Sequence, residues 1–587
     1  MKKRFVFLML CIVMLLPIFA SCDGGETESS NTSSDVSVEE SKEESILEDV
    51  SFVVTSENKD KLKIYCPKTV SAKARAAAND LRTHIRKMTG WNVPLVADLL
   101  DESGILYIAV GESEVTERLG YKNEHGYPGK ESVTVSQKGN FVVLMGNDDG
   151  NFNGTQFAVT ALLEKLGCGW FADDPLWTVI PELETLDLNV GDVYLNFIPR
   201  FSTRTTRVNS AAPTIAARWY QGGQKNLTGH WLYQVVPASE YSEHPEWFAL
   251  VGDKRDPSGI TYWHFCYSNK EFADRIADEA IKKFNDNPEL ISLTIAANDG
   301  WSDDWCECDN CSSLGNVSDV MVHFANNVAE KVSKVHPDRL LQIYSYHNTF
   351  HPPVNSVKLH QNVELMLCRE TNMYKPLDED FMMPTGKDPI SQIYFTQSWR
   401  QNALEYIEKT QPTHVSIWDW YCIAAGKQTW QNVPWVQGEV AIRNQKLYEE
   451  LGAEYVYYDH GPTDGYFEPN TVETFVLRWP LWYVAAKASF DGSLDEKEIL
   501  GDACDKLFGD ASELMLQYFV KMSDVSKECN AYCNTWVPCE VGEMYTKPKA
   551  DAIKALVKEI LEKAESCSED EQARINMQLD YWIKKLG

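Results

Sequence analysis

The feature that most constrains this chain is a rhythm. Over residues 200–470, short apolar or β-branched runs alternate with amphipathic stretches of helical spacing. Eight runs read as strands: Phe201–Thr206, Leu232–Val236, Tyr262–Tyr267, Ile291–Ala296, Leu340–Tyr346, Val363–Leu367, His414–Trp418 and Glu454–Tyr458. Lys270–Phe284, Asp319–Val335, Trp399–Thr410 and Val436–Leu451 read as helices between them. A strand that returns to a parallel neighbour needs a crossover, usually a helix. Eight such units predict an α/β fold of the (β/α)8 TIM-barrel type over 200–470.

The flanks read differently. Residues 51–195 alternate strand and helix on a smaller scale. Lys63–Tyr65, Gly104–Val110 and Phe141–Met145 are expected strands, and Ser71–Met88 and Gly154–Leu166 are expected helices that end at Gly90 and Gly167. Helices packed on one sheet imply a small α/β domain ahead of the barrel. Residues 471–587 carry mainly helical patterns and are expected to form a helical domain after it.

The N-terminus addresses the chain for export. Lys2, Lys3 and Arg4 precede an apolar run from Phe5 to Phe19, and Ala20-Ser21-Cys22 follows. This pattern predicts a signal peptide over 1–22. Its end resembles a bacterial lipobox, which makes Cys22 the expected lipidation site. Residues 23–48 are rich in Ser, Glu, Asp and Thr, too polar to offset their ordering entropy, and are expected to be a disordered linker. The expected location is extracytoplasmic, lipid-anchored to the cell surface, with no other membrane contact. A formal charge of −31 argues against nucleic-acid partners, which need Lys and Arg at phosphates.

In a barrel of this type, chemistry sits where strands run into their following loops. Asp299 and Trp301 follow the fourth expected strand, and Tyr346 and His347 end the fifth. Arg369 and Glu370 follow the sixth. The seventh ends in Trp418-Asp419-Trp420-Tyr421, and the first carries Arg204. Glycosidic hydrolysis needs two carboxyl groups flanking the bond, one giving a proton and one attacking or activating water. Asp299, Glu370 and Asp419 are the expected catalytic acids. Trp301, Tyr346, His347, Trp418, Trp420 and Tyr421 are expected to line an oligosaccharide site. Arg204 is expected to bind substrate too, and with Arg369 it could meet a uronate carboxylate. No cofactor is expected.

Thirteen cysteines follow Cys22. Cys306, Cys308 and Cys311 form a C-x-C-x2-C cluster, and Cys266 ends the third expected strand, so neighbouring strands would bring the four together. They read as structural. Two disulfides are favoured over a zinc site, because C-x-C is tighter than the usual zinc spacing. Cys529, Cys533 and Cys539 suggest another bridge near the helical end.

Several segments carry a family resemblance. They are HPEWFALVGDKR (His244–Arg255), CYSN (Cys266–Asn269), AANDGWSDDWCECDNC (Ala296–Cys311), VMVHFANNVAEKV (Val320–Val332), YSYHNTFHPP (Tyr344–Pro353) and WDWY (Trp418–Tyr421). Together they resemble the bacterial family called domain of unknown function 4838, over roughly Arg200 to Phe490. The stretch GTQFAVTALLEKLGCGWF (Gly154–Phe171) is similar to the end of the domain preceding the barrel in β-hexosaminidases and α-glucuronidases. The resemblance implies a relative of barrel glycoside hydrolases acting on N-acetylglucosamine-containing or uronate-containing glycans. It departs at Asp299, where α-glucuronidases have a Glu one position on, and at Cys368-Arg369-Glu370-Thr371, where members more typically show Cys-Ser-Ile-Glu-Cys-Cys. Substrate-assisted cleavage stays open at this point, since Asp303-Asp304 and Glu307 lie near Asp299. The alternative is a glycan-binding surface lipoprotein whose barrel has lost its chemistry. An intact acid pair on the rim separates the two.

Overall fold

The fold is seen in a computed structural model, which describes residues 50–206, 213–299, 304–369, 375–379, 398–421, 432–434, 436–459, 471–531 and 539–586. The signal segment, Cys22, the linker, Trp301, Asp303, Glu370, Thr371 and Cys533 lie outside these.

Strands β1 (Leu62–Tyr65), β2 (Leu95–Val96), β3 (Leu106–Val110), β4 (Val133–Lys138), β5 (Phe141–Gly146) and β6 (Asp192–Phe197) form one sheet in the order β6-β4-β5-β3-β1-β2. Alternation decides what each face meets. Leu62, Ile64, Ile108, Val142 and Leu144 pack with Leu81, Ile85, Phe157 and Leu162 of helices Ala72–Thr89 and Gly154–Lys165. Tyr65, Tyr107, Val143 and Met145 pack on the other side with Val115 and Leu119. The first helix starts where the Ser71 hydroxyl accepts from the Ala74 amide, and it stops at Gly90, whose φ of 73° is left-handed.

The larger sheet has eight strands and is nearly closed. They are β7 (Thr203–Thr206), β8 (Gly222–Gly223), β9 (Lys225–Leu227), β10 (Leu290–Thr294), β11 (Leu340–Ser345), β12 (Val363–Arg369), β13 (His414–Trp420) and β14 (Ala453–Asp459). Their order is β8-β7-β14-β13-β12-β11-β10-β9. Among the described residues all neighbours are parallel except β8, which meets β7 antiparallel. The ends of the sheet, β8 and β9, are separated by Gln224 alone, so the chain itself bridges the gap. Gly223 makes this possible: its φ is +104°, and a Cβ there would stand 2.1 Å from the Ser202 carbonyl oxygen.

Two expected strands are corrected. Leu232–Val235 is a helical turn. Tyr262–Tyr267 forms no ladder and touches strand-like backbone only through a bridge from Phe265 to Phe248. The apolar density of that run serves packing, since the Phe265 ring stacks on Phe272 with centroids 4.6 Å apart. The place of the second strand is taken by Gly222–Leu227, and Ile291–Ala296 begins the third parallel strand, not the fourth. In the connection from β11 to β12 the structure places the turn His347–Thr349.

Arg204 is corrected as well. It is fully buried, and its guanidinium donates to Glu131 Oε2 at 2.6 Å and to the carbonyls of Tyr220 and Phe201. It lies between the rings of Phe157 and Phe490. Arg204 therefore ties β7 to the preceding α/β layer and does not reach a substrate.

After β14 the described residues hold long helices at Trp479–Phe490, Glu496–Leu507, Ser512–Lys527, Lys547–Ala564 and Glu569–Ile583. Glu496 is buried among them. Burial, aided by repulsion from Glu439 and Asp524, pushes its carboxyl up to about 7 from an ordinary 4.5. The unfolded chain ionises at the ordinary value while the folded one resists. The contribution of this carboxyl to stability is thus fully present below pH 4.5, falls as pH rises toward 7 and is lost above it. Glu496→Gln is expected to flatten this slope and to raise stability at pH 8 by up to about 3 kcal/mol. Urea unfolding at pH 5 and pH 8 measures it, and an unchanged slope in the variant would contradict it.

Candidate active site

The barrel interior is built in layers by strand alternation. At its base the Ser292 hydroxyl and the Gln342 amide both donate to Glu364 Oε2 at 2.6 Å. Burial raises the Glu364 carboxyl above the ordinary carboxylate range. Above this lie Ala296, Tyr344, Met366, Cys368 and Tyr455, with Tyr346, Trp418 and Tyr457 packed against them. The Tyr344 hydroxyl accepts from the Gly229 amide at 2.7 Å, which holds the loop after β9 against the interior.

The open end gathers several of the expected residues. Asp299 Oδ1 accepts from the Tyr346 hydroxyl at 3.3 Å and stands 3.4 Å from His347 Nδ1. The Asp299 side chain keeps 32% of its surface in contact with solvent, so a ligand can reach it. Tyr346 stacks on His347 at 3.6 Å and faces Trp420 at 6.1 Å, while Trp418 lies 5.8 Å from Trp420. Asp299, Tyr346, His347, Trp418 and Trp420 are therefore brought together.

His347 occupies the left-handed region, with φ of 48°. Such a conformation in a non-glycine residue persists only where neighbours over-determine it. Here the Thr349 hydroxyl lies 2.9 Å and 2.8 Å from the carbonyls of Tyr344 and Tyr346. The Ser345 hydroxyl and the Asn402 amide both donate to the Phe350 carbonyl. This turn aims both rings at Asp299.

The same alternation moves two expected residues out. In β13, Trp418 and Trp420 face inward, so Asp419 faces the outer helices. It is fully buried, accepting from Arg369 Nη1 at 2.7 Å and from the Tyr448 hydroxyl at 2.6 Å. Tyr421 is fully buried on that side too. It receives a hydrogen bond from the Asn444 amide, and the Arg369 guanidinium lies 4.6 Å from its ring centre. Asp419 as a rim acid and Tyr421 as a sugar contact are corrected accordingly.

Three residues join the site that sequence reading had not chosen. Asp459 pairs in register with Trp420, and Tyr457 with Trp418, so both take the inward face of β14. The alternation starting at Tyr455 carried that signal. His230, whose Nδ1 lies 2.8 Å from the Ala297 carbonyl and whose ring is 6.1 Å from Tyr346, carried none, because the strand before it, Lys225–Leu227, has no apolar alternation to mark it. Nearby, burial holds His264 neutral by pushing it down to about 4. A cavity of about 420 Å³ opens beside this group, between Asn348, Trp305 and Tyr267.

The cysteine expectation holds for position. Cys266, Cys306, Cys308 and Cys311 converge, with all four sulfurs within 4.8 Å of one another. The expected disulfides are corrected: Cys266 Sγ stands 3.7 Å from Cys308 and 4.0 Å from Cys311, against about 2.05 Å for a bond. Of the other expected bridge, Cys529 and Cys539 are buried.

A family model described as domain of unknown function (DUF4838) matches residues 174–520. The chain belongs to the DUF4838 family. The match reaches beyond the barrel into its flanks. Among solved structures, this DUF4838 protein resembles a family GH115 4-O-methyl-α-glucuronidase with specificity for decorated arabinogalactans. The TM-score is 0.53 at 10% identity, over 91% of this chain and 72% of that one. A GH138 enzyme targeting pectin rhamnogalacturonan II aligns at 0.41 and 11% identity, over 89% and 68%. A family 89 glycoside hydrolase from Clostridium perfringens aligns at 0.43 and 8% identity, over 86% of this chain and 61% of its own length. No curated protein matches the sequence. The first likeness shows a shared fold.

Proposed function

We propose that this DUF4838 protein is a glycoside hydrolase whose reaction centres on Asp299. The observation that carries the reading is the setting of that carboxylate. It is solvent-accessible, bonded by the Tyr346 hydroxyl, beside His347, and walled by Trp418 and Trp420 at the open end of the barrel. Aromatic faces of this kind offer flat apolar surface to a sugar ring. Glu370 is the second carboxyl in this proposal. It follows β12 directly, two positions on from the inward Cys368. One acid protonates the leaving oxygen and the other attacks the anomeric carbon or activates water.

The buried arginines bear on the substrate. Arg204 and Arg369 are held by Glu131 and Asp419, so neither can meet a uronate carboxylate. This favours a neutral glycan containing N-acetylglucosamine over a uronate chain. In the same proposal the protein works outside the cytoplasm, held by lipid on Cys22.

Digestion of a panel of complex glycans by the full-length protein, read by mass spectrometry, tests the activity. Release of a defined sugar is expected. Glycans that are retained but never cut would overturn the hydrolase reading and leave a binding lipoprotein. The intact mass of the mature chain from its native membrane tests the anchor: an acylated N-terminal Cys22 is expected, and an unmodified one would remove that part.

A further inference from the structure

The four converging cysteines come from two separated pieces of chain. Cys266 closes the segment that follows the bridge at Phe265, whereas Cys306 and Cys308 lie in the loop beyond Asp299 and Cys311 in the helix Asp309–Leu314. In a regular tetrahedron of sulfurs about a zinc ion, with Zn–S about 2.3 Å, the sulfurs are about 3.8 Å apart. The observed separations of 3.7 Å and 4.0 Å straddle that edge length. They are nearly twice what a disulfide requires.

The surroundings suit sulfur that carries charge. The Leu250 amide donates to Cys306 Sγ at 3.3 Å, and Arg255 Nη1 lies 3.8 Å from the same atom. The Ser268 hydroxyl is 3.1 Å from Cys311 Sγ. Four thiolates around a divalent ion leave two negative charges, and the Arg255 guanidinium offsets part of that. We propose that Cys266, Cys306, Cys308 and Cys311 bind one Zn²⁺ ion as thiolates. Four protein ligands fill the coordination sphere, so the ion is structural and leaves no position for substrate. It clamps the 306–311 loop to the 244–269 segment, and that loop is the continuation of the Asp299 turn. The clamp is distinct from the proposed hydrolysis and stands or falls without it.

The test uses the full-length chain purified without added metal. Elemental mass spectrometry is expected to find about one zinc per chain. Titration with p-hydroxymercuribenzoate is expected to release that zinc to a chromogenic chelator as the thiols react. In Cys306→Ser/Cys311→Ser the zinc content falls about tenfold or more. Exchange with Co²⁺ gives the intense visible bands of a tetrahedral thiolate site. Because that variant could unfold, non-reducing peptide mapping of the wild-type chain supplies an independent readout. Disulfide-linked peptides joining Cys266 to 306–311, zinc far below one per chain, or iron in its place would each overturn the proposal.

Discussion

Asp299→Asn is expected to lower turnover by about 10²- to 10⁴-fold, the range a positioned acid or base contributes. The substitution keeps the size and shape of the side chain, and the amide oxygen can still accept from the Tyr346 hydroxyl. Thermal unfolding should therefore stay close to wild type. Glu370→Gln is expected to behave alike. Asp459→Asn, on the inward face beside Trp420, shows whether a third carboxyl shares the work. Full sugar release by both Asp299→Asn and Glu370→Gln would exclude the proposed acid pair. Loss of release together with loss of folding would point instead to a structural role, which is why both quantities are measured on each variant.

The second large effect is on stability. Asp419 and Arg369 have no solvent-accessible side-chain surface, and each holds the other's charge. Asp419→Ala removes the buried carboxylate that faces the Arg369 guanidinium between barrel and helices, and removal of one partner from such a pair costs about 3–5 kcal/mol. A domain stable by about 5–15 kcal/mol overall would lose a large part of its margin. The Tyr448 hydroxyl, which donates to Asp419 Oδ2 at 2.6 Å, would lose its acceptor as well. Replacing both charges at once, as Arg369→Met/Asp419→Leu, should recover much of the loss, because both members of the buried pair are removed together. Equilibrium denaturation of the single and double variants measures this. A loss below about 1 kcal/mol in Asp419→Ala, the scale of an exposed pair, would refute the buried-charge account.

The barrel was legible where apolar alternation and strand pairing coincide. β10 to β14 were each anticipated within a few residues, because their inward and outward residues are both largely apolar and the runs stand out. The strand at Gly222–Leu227 was invisible. Its residues are Gly, Gly, Gln, Lys, Asn and Leu, and its pairing rests on backbone that only glycine adopts easily. Leu232–Val236 and Tyr262–Tyr267 looked more like strands, but their side chains pack on helices and rings. The site followed the same rule. Trp418-Asp419-Trp420-Tyr421 was read as one rim cluster, although the two-residue period of a strand divides it between inside and outside. Applied strictly, that period would have moved Asp419 out and admitted Asp459. The grouping of Cys306, Cys308 and Cys311 was legible from spacing, while Cys266 joins them from a segment that is not the expected strand; whether they bond to one another was not legible, since that depends on distances of an ångström or two.

Arg204 bears on how freely this barrel can be handled as a separate part. Its counter-ion, Glu131, sits on the far side of the junction before Arg200, and both side chains are sealed from water. A second tie crosses at Lys487, whose ammonium contacts Glu164. A fragment begun at residue 200 would carry an orphaned cation at its first strand and another at its trailing helix. Shuffling this barrel onto a different N-terminal partner would thus demand a replacement acid at each seam, which binds the fates of the two layers together in any recombination of the gene.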